Sequence, residues 1–220
     1  MLYGDTEFTR VKILSNKKIS PGSAILSFDI IFSFKAGQVT GLTTDPAIPP
    51  RLYSICSGEK ENRIDILYNI VPQGQLTPLL EHLKPGDPLL VTPPFGKFIP
   101  VDKPSCFIAT GTGLAPFLSM LKSGFGQCRL LLHGNRHPND FYESNYLRSI
   151  LGMNYVPCYS GKEKFQGYNG RVTQYINDVM KADTADMYYL CGSAEMVVDA
   201  RELLISKGVP FQAIQSEIYF

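Results

Sequence analysis

Residues 105–117 read Ser105-Cys106-Phe107-Ile108-Ala109-Thr110-Gly111-Thr112-Gly113-Leu114-Ala115-Pro116-Phe117. The first six form a near-continuous apolar run, as expected of a strand buried on both faces. Gly111-Thr112-Gly113 is a turn whose bare backbone amides suit an anion, and helical spacing begins at Ala115. A buried strand that feeds a helix through a glycine turn opens a parallel α/β sheet, whose ligands gather at the strands' carboxyl ends. The turn is not a full G-x-G-x-x-G, because Pro116 replaces the later glycine. Nor is it a P-loop, because no Gly-Lys-Ser/Thr follows.

Downstream, the same alternation continues. After the helix expected over 115–122, strands are predicted over 129–133, 155–159, 187–191 and 211–215. Helices are predicted over about 143–151, 172–180 and 194–207. The expectation for residues 101–220 is an α/β domain built on a parallel five-stranded sheet with helices on both faces. Cys191-Gly192-Ser193 ends a strand on the same side as Gly111. A cysteine there is usually a core residue; the alternative is contact with the edge of a nicotinamide.

Upstream, the pattern is different. Prolines and glycine between Thr92 and Lys103 mark a boundary, so residues 1–100 are expected as a separate domain. Strands are predicted over 8–14, 24–30, about 38–42, 52–56, 64–70 and 88–91, with a helix over 76–83. Asn16-Lys17-Lys18 reads as a polar connection and Ser20-Pro21-Gly22 as a turn. Six short strands in fewer than a hundred residues predict a six-stranded antiparallel β-barrel. Within it, Arg51-Leu52-Tyr53-Ser54 places Arg51 and Tyr53 on one face of a strand and Ser54 on the other. An arginine fork suits a diphosphate, a tyrosine face suits a flavin ring, and a serine hydroxyl reaches a ring nitrogen. The competing reading is a mixed surface strand. Val71-Pro72-Gln73-Gly74-Gln75-Leu76-Thr77 is a glycine turn into a helix, either an ordinary turn or an anion site where Thr77 caps or donates to a phosphate.

Whole-chain properties narrow the classes. The 220 residues are 44% hydrophobic and 19% charged, with a formal net charge of +1, which gives no global case for nucleic acid or an anionic membrane. No apolar stretch reaches the ~20 residues of a membrane helix. Residues 1–7 lack a basic segment followed by an apolar run, so no secretory signal is expected. The five cysteines, Cys56, Cys106, Cys128, Cys158 and Cys191, show no metal-ligand spacing. They fit a reducing cytoplasm, and no metal or fused plant-type iron–sulfur module is expected.

Taken in order, Arg51-Leu52-Tyr53-Ser54, Gly74-Gln75-Leu76-Thr77, Gly111 to Phe117, Cys191-Gly192 and Glu217-Ile218-Tyr219-Phe220 resemble the ferredoxin–NADP(+) reductase family over nearly the whole chain. The ending is most similar to its compact bacterial members. The resemblance implies FAD held by Arg51, Leu52, Tyr53, Ser54, Leu67, Tyr68, Asn69, Gly74, Gln75, Leu76, Thr77, Thr112, Tyr219 and Phe220. It implies NADP(H) held by Gly111, Gly113, Arg136, Ser160, Lys162, Arg171, Cys191 and Gly192. Ser54 is then expected near the flavin N5, Cys191 near the nicotinamide, Glu217 as a proton relay or charge stabiliser, and Tyr219 stacked on the ring. Phe220 covers either the adenine or the flavin.

Arg136 and Arg171 match the arginines that NADP-using members carry, whereas the usual Ser-Arg pair reads Ser160-Gly161. Lys162 and Lys164 are placed to substitute, and NADP is the favoured nucleotide. The implied activity is hydride transfer between NADP(H) and flavin, with single electrons passed to or from ferredoxin or flavodoxin by a cytoplasmic monomer. Lys17, Lys18, Lys97 and Lys103 are candidates for docking an acidic carrier. The alternative is a reductase component or electron-transfer subunit of an oxygenase, cytochrome or dehydrogenase system.

Overall fold

The computed structural model describes residues 7–219 and divides into two compact units. One contains the described residues up to Pro100 together with Ala115–Gly124. The other contains Val101–Leu114 and the described residues from Phe125 onward.

The first unit is built on β1 (Thr9–Ser20), β2 (Ser23–Asp29), β3 (Val39–Thr43), β4 (Arg51–Ser54), β5 (Arg63–Asn69) and β6 (Pro88–Val91). They pair antiparallel in the order β4-β3-β6-β1-β2-β5. An antiparallel bridge between Ile55 and Ile66, with Cys56 N donating to Asp65 O at 2.9 Å, joins the two outer strands and closes the sheet. Closure removes the unpaired edges that would otherwise recruit another chain.

Strand alternation supplies the barrel interior. Val11 and Ile13 are buried while Arg10 and Lys12 face water, and Leu26, Phe28, Leu42, Ile55, Ile64 and Ile66 fill the same cluster. Asn16, Lys17 and Lys18, expected as a connection, instead continue β1 opposite Leu26, Ile25 and Ala24. The solvated face of an antiparallel strand accepts charge, and Pro21-Gly22 alone makes the turn from Ser20 to Ser23.

Leu80 of α1 (Thr77–His82) and Leu76, the residue just before it, enter the barrel cluster. Its carboxyl end is satisfied from β1: Asn16 Nδ2 donates to Leu80 O at 2.7 Å and to Leu83 O at 3.1 Å. Tyr68 Oη donates to Asn16 Oδ1 at 3.1 Å and fixes that amide.

α2 (Ala115–Lys122), buried along all but its last residue, groups with this unit. Ser119 Oγ donates to Ser57 O at 2.7 Å, and Glu59 N donates to Ser123 Oγ at 2.9 Å. The rings of Phe98 and Phe117 lie 5.9 Å apart. A division at residue 100 places this helix with the chain that follows it, whereas its packing places it with the barrel.

The second unit contains β7 (Ser105–Thr110), β8 (Cys128–Asn135), β9 (Tyr155–Tyr159), β10 (Tyr168–Asn169), β11 (Met187–Ser193) and β12 (Ile214–Tyr219). All are parallel, in the order β10-β9-β8-β7-β11-β12. The sheet therefore has six strands where five were expected. The additional strand, β10, is two residues long, too short to leave a period in the sequence.

The last strand also differs from its expected 211–215. Phe211–Ala213 is a 3₁₀ turn with Phe211 exposed, and pairing begins at Ile214 because Ile214 and Ile218 pack on the core. Helices α3 (Ser144–Leu151), α4 (Val172–Asp178) and α5 (Ala194–Ser206) complete the unit. α4 and α5 share one apolar cluster with Ile108, Leu132, Tyr188 and Leu190. Strand order reverses at β7, which pairs with β8 on one side and β11 on the other. That reversal marks the ligand crevice of an open parallel sheet. No helix among the described residues is long and apolar enough to cross a membrane.

Candidate functional site

In the second unit the expected nucleotide residues gather at one end of the sheet. The register pairs Thr110 with Gly134, Asn135 with Tyr159 and Tyr159 with Asn169. Gly111, Arg136, Ser160 and Gly170-Arg171 therefore follow the carboxyl ends of four neighbouring strands. On the other side of β7, Ala109 pairs with Cys191 and Cys191 with Glu217.

Gly111–Leu114 forms a 3₁₀ turn that runs directly into α2. Gly113 is pressed against β11: an added Cβ would stand 2.3 Å from Cys191 O. Gly111 differs. Its φ is +55°, and an added Cβ would meet nothing nearer than Asn135 Oδ1 at 4.0 Å. The first glycine leaves open space for a ligand, while the second allows two backbones to meet.

Cys191 is fully buried, and burial, followed by the Glu217 carboxylate beside it, holds its thiol well above the ordinary range. A hydrogen bond with Tyr219 opposes that shift. Glu217 and Tyr219 lie two apart on β12 and so share a face, opposite Cys191 and Ser193. Cys191, Glu217 and Tyr219 thus form one group, in which the cysteine is a neutral thiol. Phe220 lies outside the described residues.

The residues expected to read a 2′-phosphate are at the surface. Arg136, Ser160, Lys162, Lys164 and Arg171 are exposed. Arg171 Nη1 pairs with Glu195 Oε1 at 3.0 Å. Gly161, where an arginine was expected, lies under Tyr159: its Cβ would fall 2.1 Å from Tyr159 Oη. A side chain at 161 requires that ring to move.

Beneath these loops lies a polar group that sequence reasoning passed over. His133 on β8 is fully buried, and burial pulls its pKa down to about 4, with a hydrogen bond from the ring to the Gly111 backbone opposing. Asn135 Nδ2 faces His133 Nε2 at 2.9 Å and donates to Asp140 O at 3.0 Å. Nε2 is therefore the acceptor, and Nδ1 carries the proton toward Tyr155 Oη at 3.2 Å. Asn135 O accepts from Ser160 N at 3.1 Å. One buried histidine and one asparagine thereby tie together the loops that carry Arg136 and Ser160. The available signal was a histidine in the middle of an apolar strand, which must find partners once buried.

In the first unit, Arg51 is exposed on β4, Tyr53 packs partly against the barrel cluster, and Ser54 is buried. Burial and neighbouring Tyr68 push the Tyr53 phenol up to about 12, partly offset by the Arg51 charge. Arg51, Tyr53 and Tyr68 are therefore close enough to interact. An exposed guanidinium beside a half-buried aromatic face is a suitable donor set for a diphosphate attached to a planar ring. On β5, Leu67 and Tyr68 are buried, while Asn69 is exposed and accepts from Ser23 Oγ at 3.1 Å.

At the glycine turn, Leu76, not Thr77, occupies the helix cap position. Thr77 Oγ1 accepts from Val71 N at 2.9 Å and donates to Val71 O at 3.2 Å, while Gly74 N donates to Val71 O at 2.8 Å. The expected cap is thus replaced by a staple that closes the turn, and Gln75 is left exposed. A cavity of about 640 Å³, lined by Cys106, Arg129, Asp183 and Asp186 among others, contains none of these residues. It lies at the amino ends of β7, β8 and β11.

Comparison with known proteins agrees with this geometry. Residues 107–202 match the family model described as the oxidoreductase NAD-binding domain. The chain is 29% identical over 188 residues to the toluate 1,2-dioxygenase electron transfer component of Pseudomonas putida, covering 80% of this chain. That match spans only 56% of the relative's length. It is 31% identical over 210 residues to ferredoxin–NADP reductase A of Sorangium cellulosum, covering 80% of this chain and 74% of the relative. A crystal structure of a ferredoxin NADP+ reductase from Neisseria gonorrhoeae with bound FAD and NADP shares the fold, with a TM-score of 0.88 at 23% identity. It covers 98% of this chain and all of the other. With its fold, its ordered motifs and this degree of identity, the chain belongs to the ferredoxin–NADP(+) reductase family.

Proposed function

We propose that the protein is an FAD-dependent oxidoreductase. It passes a hydride between NADP(H) and flavin and exchanges single electrons with ferredoxin or flavodoxin. The observation that carries this reading is the convergence at one end of a single parallel sheet. There Gly111 and Gly113, Arg136, Ser160 and Arg171 follow neighbouring strands, Cys191-Gly192 lie in the last residues of β11, and Glu217 and Tyr219 stand beside Cys191.

When bound, FAD supplies the two-electron to one-electron conversion that no side chain provides. The chain's own task is binding and orientation. In this reading Arg51 holds the diphosphate, Tyr53 covers the ring and Ser54 donates to a ring nitrogen. Leu52, Leu67, Tyr68, Asn69, the turn from Gly74 to Thr77, and Thr112 complete the flavin contacts. Cys191 presents a small neutral thiol to the nicotinamide, Glu217 holds or relays a proton, and Tyr219 stacks as a displaceable cover. The location is cytoplasmic and the enzyme works as a monomer.

The test is reduction of the FAD-loaded protein by NADPH, followed by transfer to ferredoxin, flavodoxin and cytochrome. Rapid reduction with transfer to ferredoxin or flavodoxin supports the reading. The similarity to a dioxygenase electron transfer component supports a second one, a reductase component of an oxygenase system. Reduction by nucleotide without transfer to either small carrier would favour it.

A further inference from the structure

Arg171 and Glu195 meet at the carboxyl end of the second unit's sheet, Nη1 to Oε1 at 3.0 Å. Both backbones are anchored. Arg171 immediately precedes α4, and its N–H donates to Gln174 Oε1 at 2.7 Å. Glu195 stands in the first turn of α5, whose cap residue Ser193 accepts from Met196 N at 3.4 Å. The side chains are 60% and 71% exposed, so the pair contributes little to folding.

Its consequence lies in binding. A carboxylate and a phosphate compete for the same guanidinium fork. A ribose 2′-hydroxyl, in contrast, donates to a carboxylate. We propose that Glu195 is a specificity-determining residue: it is an internal counter-ion on Arg171 that a 2′-phosphate must displace and that a 2′-hydroxyl can use. The proposal rests on the reading of Arg171 as the 2′-phosphate contact. The chain's departure at Gly161 sharpens it, because the second arginine is absent there and Tyr159 Oη stands where a Cβ would be. NADPH preference therefore depends heavily on Arg171, and Glu195 tempers it.

The test uses the full chain loaded with FAD, as wild type, Glu195→Gln and Arg171→Gln. Two quantities are measured: the ratio of kcat/KM for NADPH to that for NADH, and calorimetric affinity for 2′-AMP and 5′-AMP. Glu195→Gln is expected to raise the ratio roughly two- to fivefold, the range an exposed charge pair supports. The gain should fall on KM for NADPH, and 2′-AMP but not 5′-AMP should bind more tightly by a similar factor. Arg171→Gln should lower the ratio. If Arg171→Gln lowers it while Glu195→Gln leaves it unchanged or lowers it, Glu195 does not set specificity and the NADP reading stands. If Arg171→Gln has no effect on either quantity, Arg171 is not the contact, and the proposal falls with that assignment.

Discussion

Gly113 lies so close to Cys191 that a Cβ on it would stand 2.3 Å from the Cys191 carbonyl oxygen and 2.6 Å from its carbon. Gly192 mirrors it, with φ at +147° and an added Cβ 2.2 Å from Thr110 Oγ1. The turn after β7 and the end of β11 are joined backbone to backbone where the strand order reverses. These glycines are required by packing before any ligand arrives.

Gly113→Ala should therefore destabilise the fold by ~1–3 kcal/mol, the usual effect of forcing a methyl group into a filled site. Urea denaturation should show a lower midpoint at unchanged slope. An unaltered midpoint would mean that the two backbones are free to separate.

Arg51→Ala should weaken FAD retention about tenfold or more, as expected for loss of a charge-assisted bond worth roughly 1.5–3 kcal/mol. Flavin fluorescence recovered on dilution measures it. Equal release from wild type and variant would remove Arg51 from the diphosphate site.

His133 predicts acid sensitivity. Its folded pKa, about 4, lies below the ordinary 6.5 because burial opposes the charge. Between those values the unfolded chain binds more protons, so stability is fully present above about pH 6.5 and falls as pH drops toward 4. The loss amounts to at most ~3 kcal/mol from this residue. In His133→Gln the dependence of the denaturation midpoint on pH over that interval should flatten. A slope equal to that of wild type would contradict the assignment.

All five cysteines are buried and free. Burial pushes the thiols of Cys56, Cys106, Cys128 and Cys158 up to about 12 and holds Cys191 well above its usual value. A thiol reagent at pH 8 should find almost no reactive thiolate in the native protein and all five thiols after unfolding. Rapid native labelling of Cys191 would show that its strand end is open and its thiol ionised.

Much of this was legible because the local physics was strong. The apolar run from Ser105 to Thr110 reads as a buried strand and is one, and the following helix was expected over the residues that α2 occupies. Arg51, Tyr53 and Ser54 separate to opposite faces because side-chain direction on a strand alternates strictly. What stayed hidden depended on partners distant in sequence. Lys17 and Lys18 read as a connection until β2 is known to pair with them. Tyr168 and Asn169 become a strand only beside β9, and the start of β12 is set by packing of Ile214 and Ile218. The link from His133 through Asn135 to Asp140 depends on side-chain positions that no spacing rule encodes. Neither does spacing reveal that Thr77 spends its hydroxyl on Val71.

The central claim is that this chain binds FAD and accepts reducing equivalents from a nicotinamide nucleotide. The most direct measurement is the visible spectrum of the purified full chain incubated with FAD and freed of excess, then mixed anaerobically with NADPH in a stopped-flow spectrometer. The account predicts a yellow protein whose flavin absorbance bleaches on mixing, faster with NADPH than with NADH. A colourless protein that takes up no FAD, or bound flavin that neither nucleotide reduces, would contradict it.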